Sequence, residues 1–88
     1  MLHHQLRVHS KWYDMKATDL KPWELRSTVE RAFTAGDQVT FHECDPGGKL
    51  TGRSCGPVTI LYVMNNEDSS MLKPRTCIFT HTNSSLTI

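Results

Sequence analysis

Hydrophobic and polar residues alternate along several short stretches of the chain, and a period of two residues is typical of half-buried β-strands. The first such stretch covers residues 2–9, where one face carries Leu2, His4, Leu6 and Val8. Polar side chains occupy the opposite face of this strand. Further extended segments are predicted at residues 22–27, 38–44, 49–54, 58–64 and 76–81.

Turn and helix signals separate these strands. Ser10 is a good N-cap, and the residues after it suit a helix of about two turns. The Asp-Pro-Gly-Gly sequence at residues 45–48 is the strongest turn signal, and Gly56-Pro57 predicts a break between two strands. Residues 28–35 fit either a helical turn or a long loop. The run at residues 58–64 is apolar throughout, which indicates a strand buried on both faces.

Six short strands and one or two short helices predict a mostly β (α+β) domain. The expected architecture is a small, mostly antiparallel β-barrel, because the connections are too short for the crossover helices of parallel βαβ units. A chain of 88 residues forms a single domain, here residues 1–88. Its core is expected at about residues 2–81, with a frayed C-terminal end.

Composition narrows the functional classes. The formal net charge is +1, from ten Lys and Arg against nine Asp and Glu, which excludes a polyanion binder that relies on bulk charge. A local basic groove remains compatible with this balance. Cys44, Cys55 and Cys77 form no Cys-x-x-Cys pair and are expected to be reduced thiols, so the protein is expected to be cytoplasmic. No apolar run approaches the roughly 20 residues of a membrane helix, so no membrane partner is expected.

A series of motifs follows in order over residues 4–80. The series comprises His4-Gln5-Leu6-Arg7, Trp12-Tyr13, Lys21, Glu24 and Arg26 in the pattern Gly-x-Lys-x-x-Glu-x-Arg with Asp19 at the glycine position, Glu30-Arg31-x-Phe33, Gly36-Asp37, Glu43 and Thr51-Gly52-Arg53. In this series the chain resembles the ASCH domain superfamily, in particular a compact ASCH-like family of unknown function found in bacteria and their phages.

The resemblance implies a PUA-like β-barrel. ASCH domains have been proposed to bind RNA in a cleft beside the barrel, and some relatives are hydrolases that act on RNA or modified nucleosides. One amidohydrolase branch carries threonine at the position of Glu24, so its mechanism does not transfer directly to this chain.

The charged stretch Leu20–Arg26 is the main candidate site. Alternation separates Trp23 and Leu25 from Glu24 and Arg26, and we expect Trp23 to anchor the strand in the core. Glu24 and Arg26 are then expected to share a cleft with Lys21. In that cleft the cations would hold an anionic group, while Glu24 would orient them, or act as a base if burial raises its pKa. Alternatively, Glu24 and Arg26 form a solvated outer face.

Other residues are weaker candidates for the same site. Arg31 and Arg53 would add positive charge, Tyr13 would stack a base, and His4 is expected near the cleft. Each also has a purely structural interpretation, such as packing of the helix by Tyr13. Adjacent histidines on a strand point to opposite faces, and no second pair completes a tetrahedral site, so we expect neither a metal site nor a cofactor.

These observations leave several functions open. The first hypothesis is an RNA- or nucleotide-binding module that uses a basic cleft formed by Lys21, Arg26, Arg31 and Arg53. The second is a small hydrolase of RNA or a modified nucleoside, with Glu24 or Glu43 as base and Lys21 as electrostatic stabiliser. A third is a phage or host regulatory protein that binds another protein.

Overall fold

The structure is a computed structural model that describes residues 1–83 of the chain. The predicted C-terminal fraying falls mostly on residues 84–88 and lies outside the described residues. Within residues 1–83 the chain forms one helix and five strands. The elements are β1 (His3–His9), α1 (Ser10–Ala17), β2 (Trp23–Ser27), β3 (Gln38–Cys44), β4 (Leu50–Asn65) and β5 (Thr76–His81). No helix in this part of the chain is long and apolar enough to cross a membrane.

The strands form a mixed sheet in the order β1-β3-β4-β5-β2. The pairings β3–β4, β4–β5 and β5–β2 are antiparallel, as predicted, but β1 pairs with β3 in parallel, from His3 opposite Gln38 to His9 opposite Cys44. The prediction that parallel wiring is unlikely was therefore wrong for this pair. The connection that returns the chain to the same direction runs through residues 10–37 and contains both α1 and β2.

Strand β4 is continuous where a break was predicted. It passes through Gly56-Pro57 and pairs first with β3 and then with β5, so it belongs to both halves of the sheet. Gly56 has φ +110°, and a Cβ atom built there would lie 2.8 Å from the carbonyl oxygen of Val39. The pairing register with β3 shifts at this point while the strand stays in the sheet, and glycine tolerates both the dihedral and the close approach.

The core lies on one face of the sheet and is closed by α1. The pattern of β1 is confirmed for His4, Leu6 and Val8, which are buried, whereas Leu2 precedes the strand and is 63% exposed. Helix α1 has the predicted length, but its N-cap is His9, whose Nδ1 accepts a hydrogen bond from the Lys11 amide at 3.0 Å, and Ser10 is the first helical residue. The hydrophobic core consists of Leu6, Val8, Tyr13, Phe33, Val39, Phe41, Val58, Ile60, Cys77 and Phe79.

The sheet is open, with β1 and β2 as its edge strands. The side chain of Arg26 on β2 spans the gap, because its Nη2 donates to the carbonyl oxygen of Arg7 on β1 at 2.9 Å. Residues 28–37, which follow β2, form a loop without a helical turn. The two free edges therefore face each other across a groove that a side chain, rather than a backbone ladder, bridges.

Candidate functional site

In the stretch Leu20–Arg26 the charged face points into the protein, whereas we predicted that the apolar face would do so. Trp23 is 44% exposed and Leu25 is 54% exposed, whereas Glu24 is only 4% exposed. The expectation that Trp23 anchors the strand in the core was therefore wrong. Alternation still separates Glu24 and Arg26 from the two apolar residues, but it is the charged face that points into the protein.

Glu24 is the centre of a buried ionic cluster, the Glu24 cluster, formed with Lys16, Lys21, Arg26 and His81. Its Oε1 lies 2.9 Å from Lys16 Nζ and 3.4 Å from Lys21 Nζ. Its Oε2 accepts a hydrogen bond from Arg26 Nε at 3.0 Å. A carboxylate placed among cations in this way fixes the direction of each cationic side chain.

Lys16 is the most deeply buried member of the Glu24 cluster. Besides its ion pair, its Nζ donates to the carbonyl oxygens of Lys21 at 2.6 Å and Trp23 at 2.7 Å, and lies 2.9 Å from His81 Nε2. It also lies 4.9 Å from the centre of the Phe41 ring. Lys16 thus ties α1, the loop before β2, and β5 to one point, which is a structural function.

The electrostatics of the cluster keep Glu24 ionised. Burial alone would raise the pKa of Glu24, but the positive charges of Lys16 and Arg26 outweigh it, so the pKa lies below its ordinary value. Burial lowers the pKa of Lys16 to about 8, and the charge of Glu24 opposes this shift. Burial also lowers the pKa of His81. Glu24 therefore lacks the raised pKa on which its suggested role as a base depended.

Lys21 lies on the solvent-facing side of the Glu24 cluster, between the exposed indole rings of Trp12 and Trp23. Its Nζ is 4.7 Å from the centre of the Trp23 ring and 5.6 Å from that of Trp12. The turn before it contains Asp19 at φ +63°, in the left-handed region that favours glycine but tolerates aspartate. The position at which the motif Gly-x-Lys-x-x-Glu-x-Arg has glycine therefore lies in a left-handed turn in this chain, and Asp19 adopts that conformation.

The groove between the sheet edges, here called the edge groove, lies next to the Glu24 cluster and has a volume of about 510 Å³. Arg26 belongs to both, since its Nε contacts Glu24 and its Nη2 contacts the edge of β1. Arg31 is exposed and forms no ion pair with any other residue among the described positions 1–83. The groove is lined by Gln5, Leu6, Arg7, Arg26, Ser27, Val29, Glu30, Arg31 and Phe33.

Tyr13 and Arg53 belong to a second cluster, which also contains Glu43. The Arg53 guanidinium lies over the Tyr13 ring, 4.7 Å from its centre, and its Nη1 is 3.5 Å from Glu43 Oε2. Arg53 Nη2 also pairs with Asp14, at 3.0 Å. Glu43 accepts a further hydrogen bond from Thr51 at 2.6 Å. Tyr13 is buried, so its ring packs the helix against the sheet and is not presented for stacking a base.

His4 is fixed in the core by Asp37. His4 Nε2 lies 2.9 Å from Asp37 Oδ2, and its ring packs against Phe33 at 4.7 Å between centres. Asp37 Oδ1 accepts from the Leu2 amide at 3.0 Å, a bond that lowers the pKa of Asp37 together with the His4 contact. These contacts tie the start of β1 to the turn before β3. Residues 1–83 contain no group of three His, Cys, Asp or Glu side chains placed to hold a metal ion.

The predicted candidates therefore separate into distinct places. Lys21, Glu24 and Arg26 do come together, as predicted, and Arg31 lies in the adjoining edge groove. Arg53, Tyr13 and Glu43 form their own cluster, and His4 has a structural contact. Sequence reasoning missed three residues as site members, namely Lys16, Arg7 and His81. For Lys16 a signal was present, because it follows Tyr13 by three residues and a helix places both on the same buried face.

A model of the family described as "Domain of unknown function (DUF3850)" matches residues 3–80. The chain belongs to this family. The match includes every residue of the Glu24 cluster except His81, and all residues that line the edge groove. Among curated proteins, none matches this chain in sequence. The geometry of this DUF3850 domain is therefore the basis for proposing what it does.

Proposed function

We propose that this DUF3850 domain binds RNA or a nucleotide in the edge groove, with arginine side chains contacting phosphate. The observation that carries the proposal is the convergence of Arg7, Arg26 and Arg31 on one groove in a chain whose net charge is only +1. Arginine suits phosphate because its planar guanidinium donates parallel hydrogen bonds. Glu30 also lines the groove, so its lining carries three positive charges and one negative charge.

Arg26 is held in place before any ligand arrives. Its Nε donates to Glu24 and its Nη2 donates to the Arg7 carbonyl oxygen, so the guanidinium has little freedom to lose on binding. Lys16 and Lys21 in turn pair with Glu24, so the buried cluster fixes the position of the Arg26 guanidinium in the groove. This assigns Glu24, Lys16 and Lys21 a positioning role, and Arg7, Arg26 and Arg31 the contact with phosphate.

Apolar side chains in the groove complement the arginines. Val29 is 63% exposed beside the charged residues, and Leu6 and Phe33 contribute part of the lining. Bases present flat apolar faces that pack on such side chains, while phosphates require cations. The volume of about 510 Å³ lies within the range of about 300–1,000 Å³ usual for small-ligand sites.

The proposal includes a relationship to the ASCH domains and their PUA-like barrels. It is supported by the ordered motifs over residues 4–80 and by the facing edges of β1 and β2, which Arg26 bridges. In this interpretation, the open sheet is a barrel in which a side-chain contact replaces the final backbone ladder. The edge groove then corresponds to the cleft beside the barrel.

Hydrolysis is a weaker alternative. A general base needs a pKa near the working pH and access to the substrate, whereas Glu24 is buried and its pKa is lowered. Glu43 is also buried, with its oxygens bonded to Thr51 and Arg53. We therefore propose binding without assigning a reaction.

A salt titration with matched arginine variants tests the proposal. Binding of a short labelled RNA, followed by fluorescence anisotropy, should weaken with salt with a slope of about −2, as expected for about three phosphate contacts. Arg31→Gln should reduce this slope by about 0.7, whereas Arg75→Gln, an exposed arginine outside the groove, should leave it unchanged. Equal effects of the two substitutions, or no binding at all, would refute the proposal.

A further inference from the structure

We infer that the ligand is an oligonucleotide of at least two residues, because the edge groove continues over β1 into a second hollow that holds the next nucleotide. This inference rests on the proposed function and extends it from a ligand class to a ligand length. The second hollow, here called the outer hollow, has a volume of about 270 Å³. It is lined by Gln5, Leu6, Arg7, His42 and Leu50.

The two hollows share part of strand β1. Gln5, Leu6 and Arg7 line both of them, so no wall separates one from the other except this edge strand itself. At about 270 Å³ the outer hollow is smaller than the range of about 300–1,000 Å³ usual for an independent ligand site. Its size and its shared residues make it an extension of the edge groove.

Cationic and hydrogen-bonding groups follow one line across the strands. The guanidinium of Arg26 reaches the free edge of β1 at the carbonyl oxygen of Arg7, and Arg7 is paired in register with His42 on β3. Adjacent strands lie about 5 Å apart, so Arg26 and His42 are separated by about the width of β1 or more. Arg26 and His42 therefore lie on opposite sides of β1, so a strand with one phosphate at Arg26 can place its next nucleotide beside His42.

The outer hollow contains the groups that a nucleotide needs. Gln5 Oε1 and His42 Nε2 are joined by a hydrogen bond of 2.6 Å, which leaves the Gln5 amide nitrogen to donate to a base or sugar. Leu50 is 48% exposed and offers an apolar contact for the face of a base. The exposed guanidinium of Arg7 has a long hydrogen bond, 3.4 Å, to the Gly48 carbonyl oxygen, and can exchange it for phosphate.

The dependence of affinity on ligand length tests this inference. Competition against a labelled RNA would compare a nucleoside monophosphate, a dinucleotide and a tetranucleotide, for the parent protein and for His42→Ala. The parent protein should bind the dinucleotide at least about tenfold more tightly than the monophosphate, as expected for one added charged hydrogen bond. His42→Ala should remove most of this gain and leave monophosphate binding unchanged.

His3→Ala is the matched control. His3 is exposed at the other end of β1 and bonds to Thr40 at 2.8 Å, outside both hollows, so its loss should leave every affinity unchanged. Equal affinities for monophosphate and dinucleotide, or an equal effect of His3→Ala, would overturn the inference while the proposed function stands. Failure of all three ligands to bind would overturn both.

Discussion

Removing the Lys16 ammonium should be among the most destabilising polar substitutions in this domain. In Lys16→Met the methionine side chain replaces the buried aliphatic part of the lysine. Glu24, which is 4% exposed, loses its closest partner, the Lys16 ammonium at 2.9 Å. Breaking a buried ion pair from one side costs about 3–5 kcal/mol, because the remaining charge stays buried. Lys16 also satisfies the carbonyl oxygens of Lys21 and Trp23, which the methionine cannot do.

This loss is large relative to the stability of a small domain. At about 0.05–0.15 kcal/mol per residue, a chain of this length has a free energy of unfolding of about 4–13 kcal/mol. Lys16→Met should therefore lower the urea midpoint sharply, measured by circular dichroism. Lys49→Met should change stability by less than about 0.5 kcal/mol, because Lys49 is exposed and its side chain forms no hydrogen bond or ion pair within residues 1–83.

A double-mutant cycle separates the ion pair from general effects on the core. Glu24→Gln added to Lys16→Met removes the uncompensated charge, and Lys21 and Arg26 retain partial access to water, with side chains 18% and 25% exposed. The double variant should therefore lose less stability than the sum of the two single variants, by about 1–3 kcal/mol. Additivity within about 0.5 kcal/mol would refute the view that Lys16 and Glu24 act as a pair.

Three further predictions concern stability. Gly56→Ala should destabilise by roughly 1–3 kcal/mol more than Gly52→Ala in urea unfolding, since both have positive φ but only Gly56 approaches a backbone oxygen, and equal losses would contradict this. Trp23→Ala should cost only about 1 kcal/mol, mainly its contact with Lys21, and a loss above about 3 kcal/mol would show that Trp23 is an anchor after all. The pKa of His81 is lowered in the folded protein, so as the pH falls the unfolded chain is protonated at this histidine before the folded protein is. The free energy of unfolding should therefore decrease as the pH drops below about 6.5. His81→Gln should flatten this part of the pH profile, and an unchanged slope would exclude His81 as its source.

Local patterns were sufficient for most elements of this fold. The positions of α1, β1, β3 and β5 agree with the sequence-based prediction within a residue or two, because alternation and turn residues act over short distances. The prediction of a break at Gly56-Pro57 was wrong, since the pairing register with β3 shifts there and the strand pairing resumes at Val58. The parallel pairing of β1 with β3 depends on contacts between distant residues, which no local pattern contains.

The candidate site shows the same division between local and distant information. Alternation correctly separated Glu24 from Trp23, but it could not tell which of the two faced inward. The answer depends on Lys16 in α1, which pairs with Glu24 and makes its burial tolerable. His81 in β5, far along the chain, contacts Lys16 in turn. A charged strand face predicts an outer or cleft-lining position, but a charged face whose groups are paired can also form part of the core.

The most direct test of the proposed function is an NMR titration of the isotopically labelled domain with a short single-stranded RNA. We predict that the backbone amide signals of the residues that line the edge groove, namely residues 5–7, 26, 27, 29–31 and 33, shift in a saturable manner. The amide signals of residues 65–67, 75 and 76, which line a separate hollow, should not shift. Shifts confined to residues 65–67, 75 and 76, or spectra that do not change at saturating RNA, would contradict the assignment of the edge groove as the binding site.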